Sequence, residues 1–520
     1  MKDLVTALSL GAEAILRSDE GCLDIAKETE EVARYIAHNL DEREELVNID
    51  DEKTIFEALS TFWDGLAQSF DPSQAAYNDR KGWASEDSRI QLALALGKLE
   101  RNLIAALQPF QNRAEQHEVS IRRSIFNITT FVRIEDHKFF TLRSVLAQLL
   151  CNLISPSPSQ SGADRMADKY LRVYLSGRRE DDVIIRLLDS RDTKTNHATL
   201  HLLNNMVKDN EARLKLLLSE PGIRWLSKIL NRMDEWVEIH DGLFELGASI
   251  FNSIIDLSLH PQLFDLLGTT SEVITPSQTV LLKILDSHLS SSPLSSPSPS
   301  PHSFLIPLFH NLARYTIISI NSGQDDPRLP KVFEGLILVC EGLSAIGLSV
   351  QARKDSKEVI DDDLGGDEAM VKVMKSGKDG GEGVVKPSIE LLRSLDTFFP
   401  RINPRIQSTS SATITPISEE LKPFSNLKRN IVQLLGVLTF DDTSVGDQVR
   451  ECEGVQLILG MTEIDDNNPY LREHALFCVR NLMLNNPENQ AIITQMNPVG
   501  VLSPENGEIL PVPEKMRKKP

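Results

Sequence analysis

The chain is poor in several features that would define a function quickly. Only five cysteines occur in 520 residues, and aromatics make up 6%. Cys22, Cys151, Cys340, Cys452 and Cys478 are scattered and odd in number, with no CxxC pair. A disulfide framework is therefore not expected, and a reducing compartment is the natural reading. No apolar run approaches the roughly 20 residues that span a bilayer, so no membrane insertion is expected. The stretch Leu4 to Leu16 is preceded by Asp3 and interrupted by Glu13, which favours an amphipathic first helix over a secretory signal. The expected address is cytoplasmic. Positive charge is also in deficit, with 55 Lys and Arg against 75 Asp and Glu for a net charge of −20. That balance argues against sequence-independent nucleic-acid binding, which needs a basic surface. It admits basic peptides or the basic faces of partner proteins.

Signatures of chemistry are missing too. There is no P-loop, no GxGxxG opening a helix after a strand, no HExxH and no GxSxG. His197 and His201 lie one helical turn apart, as do His474 and Cys478, but a zinc site needs three or four ligands. Packing is the default role for both pairs. No MxxM or Met cluster offers a copper site. The expectation is no enzyme, no cofactor and no metal.

What is present is helical repetition. Leu427-Lys428 heads one long apolar helix and Leu471-Arg472 heads the next. Leu438 corresponds to Leu482, and Asp447-Gln448-Val449 to Asn489-Gln490-Ala491. The period is about 44 residues, within the range of armadillo or HEAT repeats. Further helices are expected near 89–110, 136–154, 196–218, 223–233, 241–258, 304–320, 331–349 and 386–398. Ser/Pro-rich, Gly-rich or acidic stretches at 155–162, 290–303 and 354–386 read as loops. No strand-period segment of convincing length appears. The fold class expected is all-α, an armadillo/HEAT-like α-solenoid. Repeats fill 1–400, a linker spans 401–423, a C-terminal armadillo-like domain spans 424–496 and a tail follows at 497–520.

The C-terminal segment also resembles the ataxin-10 family. The resemblance rests on Ile464-Asp465-Asp466-Asn467-Asn468-Pro469, then Arg480-Asn481-Leu482, then Glu488-Asn489-Gln490. It covers about 70 residues, and His474 stands where many relatives carry Trp. This resemblance implies an armadillo-like fold and a cytoplasmic, non-enzymatic role with links to cytokinesis and cell survival. Fungal relatives have been named copper-transport proteins, for which an indirect role in copper homeostasis is the more physical reading. Within the motif, Asn468 is expected to cap a helix begun by Pro469, with Asp465 and Asp466 as solvated charge near its N-terminus.

An Asn recurs late in the long helices, at Asn102, Asn152, Asn205, Asn252, Asn311 and Asn481. The first five are spaced by 50, 53, 47 and 59 residues. Such an Asn bonds either open carbonyls near a helix end or a partner's backbone in a groove. With Phe477, these residues form the candidate partner-binding groove. The groove reading makes the chain a scaffold for protein partners of unknown identity, with self-association compatible. A nuclear transport adaptor is the alternative, but the Trp expected four residues before each Asn is absent. Ser-Pro steps at Ser155, Ser157, Ser292, Ser296, Ser298, Ser300 and Ser503 are candidate sites for a proline-directed kinase. Asp361 to Asp363 reads as a solvated linker, and Lys515, Arg517, Lys518 and Lys519 as a basic tail.

Overall fold

The computed structural model describes Leu8 and residues 11–39, 42–43, 52–74, 82–155, 163–239, 242–291, 298–356, 365–377, 382–401, 421–496, 501–502 and 509–510. Ser157, Ser292, Ser296, Ser503, the 361–363 acidic run, the basic tail and most of the 401–423 linker lie outside these residues. Contacts divide the chain into two compact units, Met1–Leu266 and Leu267–Pro520. Both are all-α in their described residues, apart from a two-residue antiparallel pairing of Val501–Leu502 with Ile509–Leu510.

The first unit begins with Asp19–His38 (α1), Glu52–Ser69 (α2), Glu86–Ile104 (α3) and Gln108–Ala114 (α4). Glu118–Ile128 (α5), Phe140–Ile154 (α6), Ala163–Tyr174 (α7) and Val183–Leu188 (α8) follow. It continues with Thr193–Val207 (α9), Glu211–Leu216 (α10), Glu220–Ile239 (α11), Leu243–Asp256 (α12) and His260–Leu267 (α13). Helix α1 packs on α3, α3 on α6, α6 on α9 and α9 on α12, forming one layer of successive long helices. Helices α2, α5, α8 and α11 pack in the same sequence as an opposing layer. Side-chain caps start many helices. Ser18 accepts from the Gly21 N–H, Ser85 from Ser88, and Asp192 from Thr195. Leu and Ile fill the space between layers together with fully buried Trp63, Trp225 and Trp236. Each such side chain contributes roughly 1.5–3 kcal/mol by leaving water. Gly97 lets α3 and α6 approach, since a Cβ there would meet Val145 at 2.9 Å.

The second unit holds Pro276–Ser291 (α14), Leu305–Ser322 (α15), Leu329–Ser356 (α16), Gly366–Ser376 (α17) and Val385–Phe398 (α18). Then come Leu427–Thr439 (α19), Thr443–Glu451 (α20), Gly454–Gly460 (α21), Leu471–Met483 (α22) and Pro487–Gln495 (α23). Again one layer runs α14, α16, α19, α22, with α15 and α18 packed on the other side. The C-terminal segment shares this layer, because α19 packs directly on α16.

A backbone signature marks the repeat. Two residues after the ends of α3, α9, α12, α19 and α22 stand Ala106, Asp209, Ser258, Asp441 and Asn485, each left-handed with φ between 51° and 58°. None is glycine, so composition hides the turn. It divides the expected 89–110 helix at Ala106, where Pro109 opens α4, and the expected 196–218 helix at Asp209.

Three expectations are corrected. The stretch 354–386 contains α17, because Met370, Val371 and Met374 share a buried face despite the flanking glycines. The end of the Ser/Pro stretch is packed, with Ser300 buried and followed by a 3₁₀ turn over Pro301–Phe304. Helix α16 is long and apolar enough to cross a membrane by length and composition. Most of its apolar side chains from Val332 to Val350 are buried against α14, α15 and α19, while Leu348 faces solvent.

Candidate interaction surface

In the first unit the recurring Asn side chains tie neighbouring helices of one layer together. Asn102 Nδ2 donates to the Ala33 carbonyl at 2.9 Å, joining α3 to α1. Asn152 Nδ2 donates to the Arg101 carbonyl at 3.0 Å, joining α6 to α3. Asn205 Nδ2 reaches Ser155 Oγ at 2.6 Å and Cys151 Sγ at 3.2 Å, at the same level of α6. Here the neighbouring Asn204 continues the series, donating to the Leu246 carbonyl of α12 at 3.1 Å. Asn252 is half-buried on α12. Gln111 donates to the Asn152 carbonyl at 2.7 Å, and Gln490 donates to the Met483 carbonyl at 2.8 Å. Arg101 donates to Asn102 Oδ1 and to Gln148, so the layer's outward edge is a connected polar strip.

The same device recurs in the second unit. Asn481 Nδ2 donates to the Gly436 carbonyl at 2.9 Å, joining α22 to α19. Asn311 is exposed and lies on α15, in the other layer. In its repeat the tie comes from α16, where Gln351 donates to the Val437 carbonyl at 2.7 Å and Glu341 accepts from Asn430 at 2.8 Å. Sequence spacing misses Gln351 and Asn430 because one is not Asn and the other sits early in its helix. The structure thus brings Asn102, Asn152 and Asn205 together in one strip and pairs Asn481 with Phe477 on α22.

Residues of the C-terminal motif do something other than cap. Helix α22 starts at Leu471 with no side-chain cap from Tyr470. Asn468, buried, donates to the Ser425 carbonyl at 2.9 Å, and Ser425 Oγ donates to the Asn467 carbonyl at 2.9 Å. Asp465 is 3% exposed and lies 3.8 Å from the fully buried Lys428 ammonium, which also donates to the Phe399 carbonyl at 2.8 Å. The motif is a knot between the starts of α19 and α22 and the end of α18. A polar run before a helix reads as solvated in sequence, because the Lys428 that buries it stands 37 residues earlier.

Beside the knot, α22, α23 and the residues that flank them present Tyr470, Leu476, Phe477, Leu484, Ile493 and Met496 to solvent. Phe477 lies over Gly436, where a Cβ would stand 3.3 Å from its ring, so side-chain absence on α19 makes room for it. His474 shares this helix. Burial, then the nearby Arg429 charge, lowers its pKa and favours neutral imidazole. Cys478, one turn on, is fully buried, and burial pushes its thiol up to about 12. The rings of His197 and His201 are stacked with centroids 6.5 Å apart. No group of three or more His, Cys, Asp or Glu placed to hold a metal occurs among the described residues.

Residues 427–510 match the family model described as the spinocerebellar ataxia type 10 protein domain. An ataxin-10 homolog of Kluyveromyces lactis is 41% identical over 73 residues, 14% of each chain. Ataxin-10 of Xenopus tropicalis is 38% identical over 74 residues, 14% of this chain and 15% of that one. The ataxin-10 homolog of Schizosaccharomyces pombe is 32% identical over 111 residues, 21% of this chain and 25% of that one. The similarity therefore spans a quarter or less of these relatives' length.

Proposed function

We propose that this chain, ataxin-10-like through its C-terminal segment, is a scaffold that binds protein partners in the cytoplasm and takes part in cell division. The observation that carries the reading is the apolar row Tyr470, Leu476, Phe477 and Leu484, exposed on the matched segment beside a rigid buried knot. Aromatic and aliphatic side chains held on fixed helices are effective contact anchors, because little rotamer freedom is lost when they dock. The Asn strip contributes by holding neighbouring helices in register, since its amide donors are engaged within the layer.

The test replaces Leu476 and Phe477 together by Asp and asks two things. Circular dichroism and thermal melting establish that the variant stays folded. Rescue of a cytokinesis defect in cells depleted of their ataxin-10 homolog then reports function. Loss of rescue by a folded variant supports the scaffold reading, and full rescue sinks the assignment of this row.

A further inference from the structure

We propose that a cleft on the opposing layer of the first unit binds a phosphorylated side chain of a partner peptide through Arg179 and Arg186. The cleft encloses about 540 Å³. Arg186 stands on α8, Arg224 on α11, and the turn after α5 supplies Thr129, Phe131 and Ile134. Its size suits one or two side chains.

The charge in this cleft is unusual for a chain at −20. The Arg186 guanidinium lies over the Phe126 ring at 4.2 Å, and its Nε and Nη2 both donate to the Arg179 carbonyl, at 3.1 and 3.0 Å. Nη1 reaches Thr129 Oγ1 at 3.5 Å. These are neutral partners, so the plane is fixed without an ion pair, and only Asp182 and Asp189 offset its charge, through space. Among the described residues neither Arg179 nor Arg186 forms an ion pair. Burial, and then the neighbouring Arg179 charge, lowers the Arg186 pKa, as two close cations would.

The local acids are engaged elsewhere. Asp182 accepts from Trp225 Nε1 at 2.8 Å, caps α8 through the Ile185 N–H and lies 3.6 Å from Arg224. Asp189 is 2.7 Å from Lys228, and Asp181 is taken by Arg122. Arg178 and Glu180, exposed on the same loop, offset each other. Arg179, Arg186, Arg224 and Lys228 against Asp182 and Asp189 leave a surplus of two positive charges.

A phosphoserine or phosphothreonine carries about −1.5 to −2 at neutral pH and three strong acceptors, matching that surplus. A lone carboxylate supplies half the charge, and an acidic run would be repelled by the rest of the chain. Guanidiniums bind phosphate through paired N–H groups, and a plane held by Phe126 and Arg179 loses little freedom in doing so. Phe131 and Val132, 94% and 85% exposed at the rim, offer apolar contact to the residues flanking the phosphate.

This site is separate from the Leu476–Phe477 row, so the two readings fail independently. The test uses the full chain and a fluorescein-labelled degenerate peptide pool with one central phosphoserine, beside the same pool unphosphorylated and with Glu in its place. Fluorescence anisotropy is expected to show binding at least about tenfold tighter for the phosphorylated pool, with competition by inorganic phosphate. Arg179→Glu, at an exposed position, and Arg186→Gln are each expected to abolish that preference, while Leu476→Asp with Phe477→Asp leaves it intact. Equal binding of the three pools, or a preference that survives Arg179→Glu, overturns the proposal. So does loss of binding to anionic phospholipid vesicles, in Arg179→Glu, without any peptide preference in the parent chain.

Discussion

The Lys428 ammonium and the Asp465 carboxylate lie 3.8 Å apart with both side chains almost wholly removed from water. Asp396 approaches the same ammonium at 3.4 Å, and the Phe399 carbonyl completes its shell. Removing Asp465 leaves the buried ammonium with Asp396 and one carbonyl in place of two carboxylates, at a cost of up to about 3–5 kcal/mol. Asp465→Ala is therefore expected to destabilise the second unit by that amount in urea titration, and Asp466→Ala, at an exposed neighbour, by less than about 0.5 kcal/mol. Similar losses at the two positions would mean that the pair does not organise the knot.

The Asn strip yields a prediction about stability. Asn152→Ala leaves the Arg101 carbonyl without its donor and is expected to cost about 1–3 kcal/mol. Asn311→Ala, on the exposed face of α15, is expected to be neutral within about 0.5 kcal/mol. Melting both variants in parallel separates a helix-joining Asn from one that only shares its spacing.

Helical class and the period near 44 residues were legible in the sequence because apolar spacing and repeated pairs such as Leu427-Lys428 and Leu471-Arg472 are local. For Asn102, Asn152 and Asn481 the sequence left two uses open, an open carbonyl or a partner's backbone, because the carbonyls they meet (Ala33, Arg101 and Gly436) belong to helices distant in sequence. Asn311 shows the limit, because its spacing fits while its helix belongs to the other layer. Helix α17 was hidden by flanking glycines, and the left-handed turns were hidden by the absence of glycine. Asp465 and Asn468 misled because their partners, Lys428 and Ser425, are distant in sequence. The Arg179–Arg186 cleft left no signal at all, since three separate segments build it.

Ala106 is the least suited of the five residues in the repeated left-handed turn. An L-residue there costs roughly 1–2 kcal/mol, which Asp and Asn partly recover and Ala does not. Glycine removes that strain while losing about 0.5–1 kcal/mol to backbone entropy. Ala106→Gly is expected to raise stability by up to about 1 kcal/mol, read as an increase in melting temperature. A decrease would show that the Ala106 methyl packs in a way its conformation does not reveal.

Ser300 illustrates how a Ser-Pro step can be closed to a kinase. Its hydroxyl donates to Asp367 Oδ1 at 2.7 Å and accepts from the His302 N–H at 3.2 Å, all buried. A phosphate there would face a carboxylate with no solvent to screen it. A proline-directed kinase acting on the native chain is expected to leave Ser300 unmodified in phosphopeptide mapping. Ser300→Glu is expected to destabilise by about 3 kcal/mol or more.

The first unit should carry a pH signature at His117. Its Nδ1 is 2.7 Å from Glu100 Oε1 and its Nε2 is 2.8 Å from the Phe56 carbonyl, and both partners are acceptors. A neutral imidazole donates at one nitrogen only, so the cation alone satisfies both. Burial opposes that charge, but the Glu100 carboxylate and the two bonds outweigh it and raise the pKa above 6.5. A raised folded-state pKa gives stability that is complete below the unfolded value near 6.5 and lost as pH climbs through the folded value. Denaturation midpoints are therefore expected to fall as pH rises above about 6.5, with a slope of at most about 1.4 kcal/mol per pH unit from this one proton. Trp63 donates to the other oxygen of Glu100 at 2.6 Å, so its fluorescence reports the same event. In His117→Gln that dependence should disappear, and a pH profile unchanged from the parent would place the titration elsewhere.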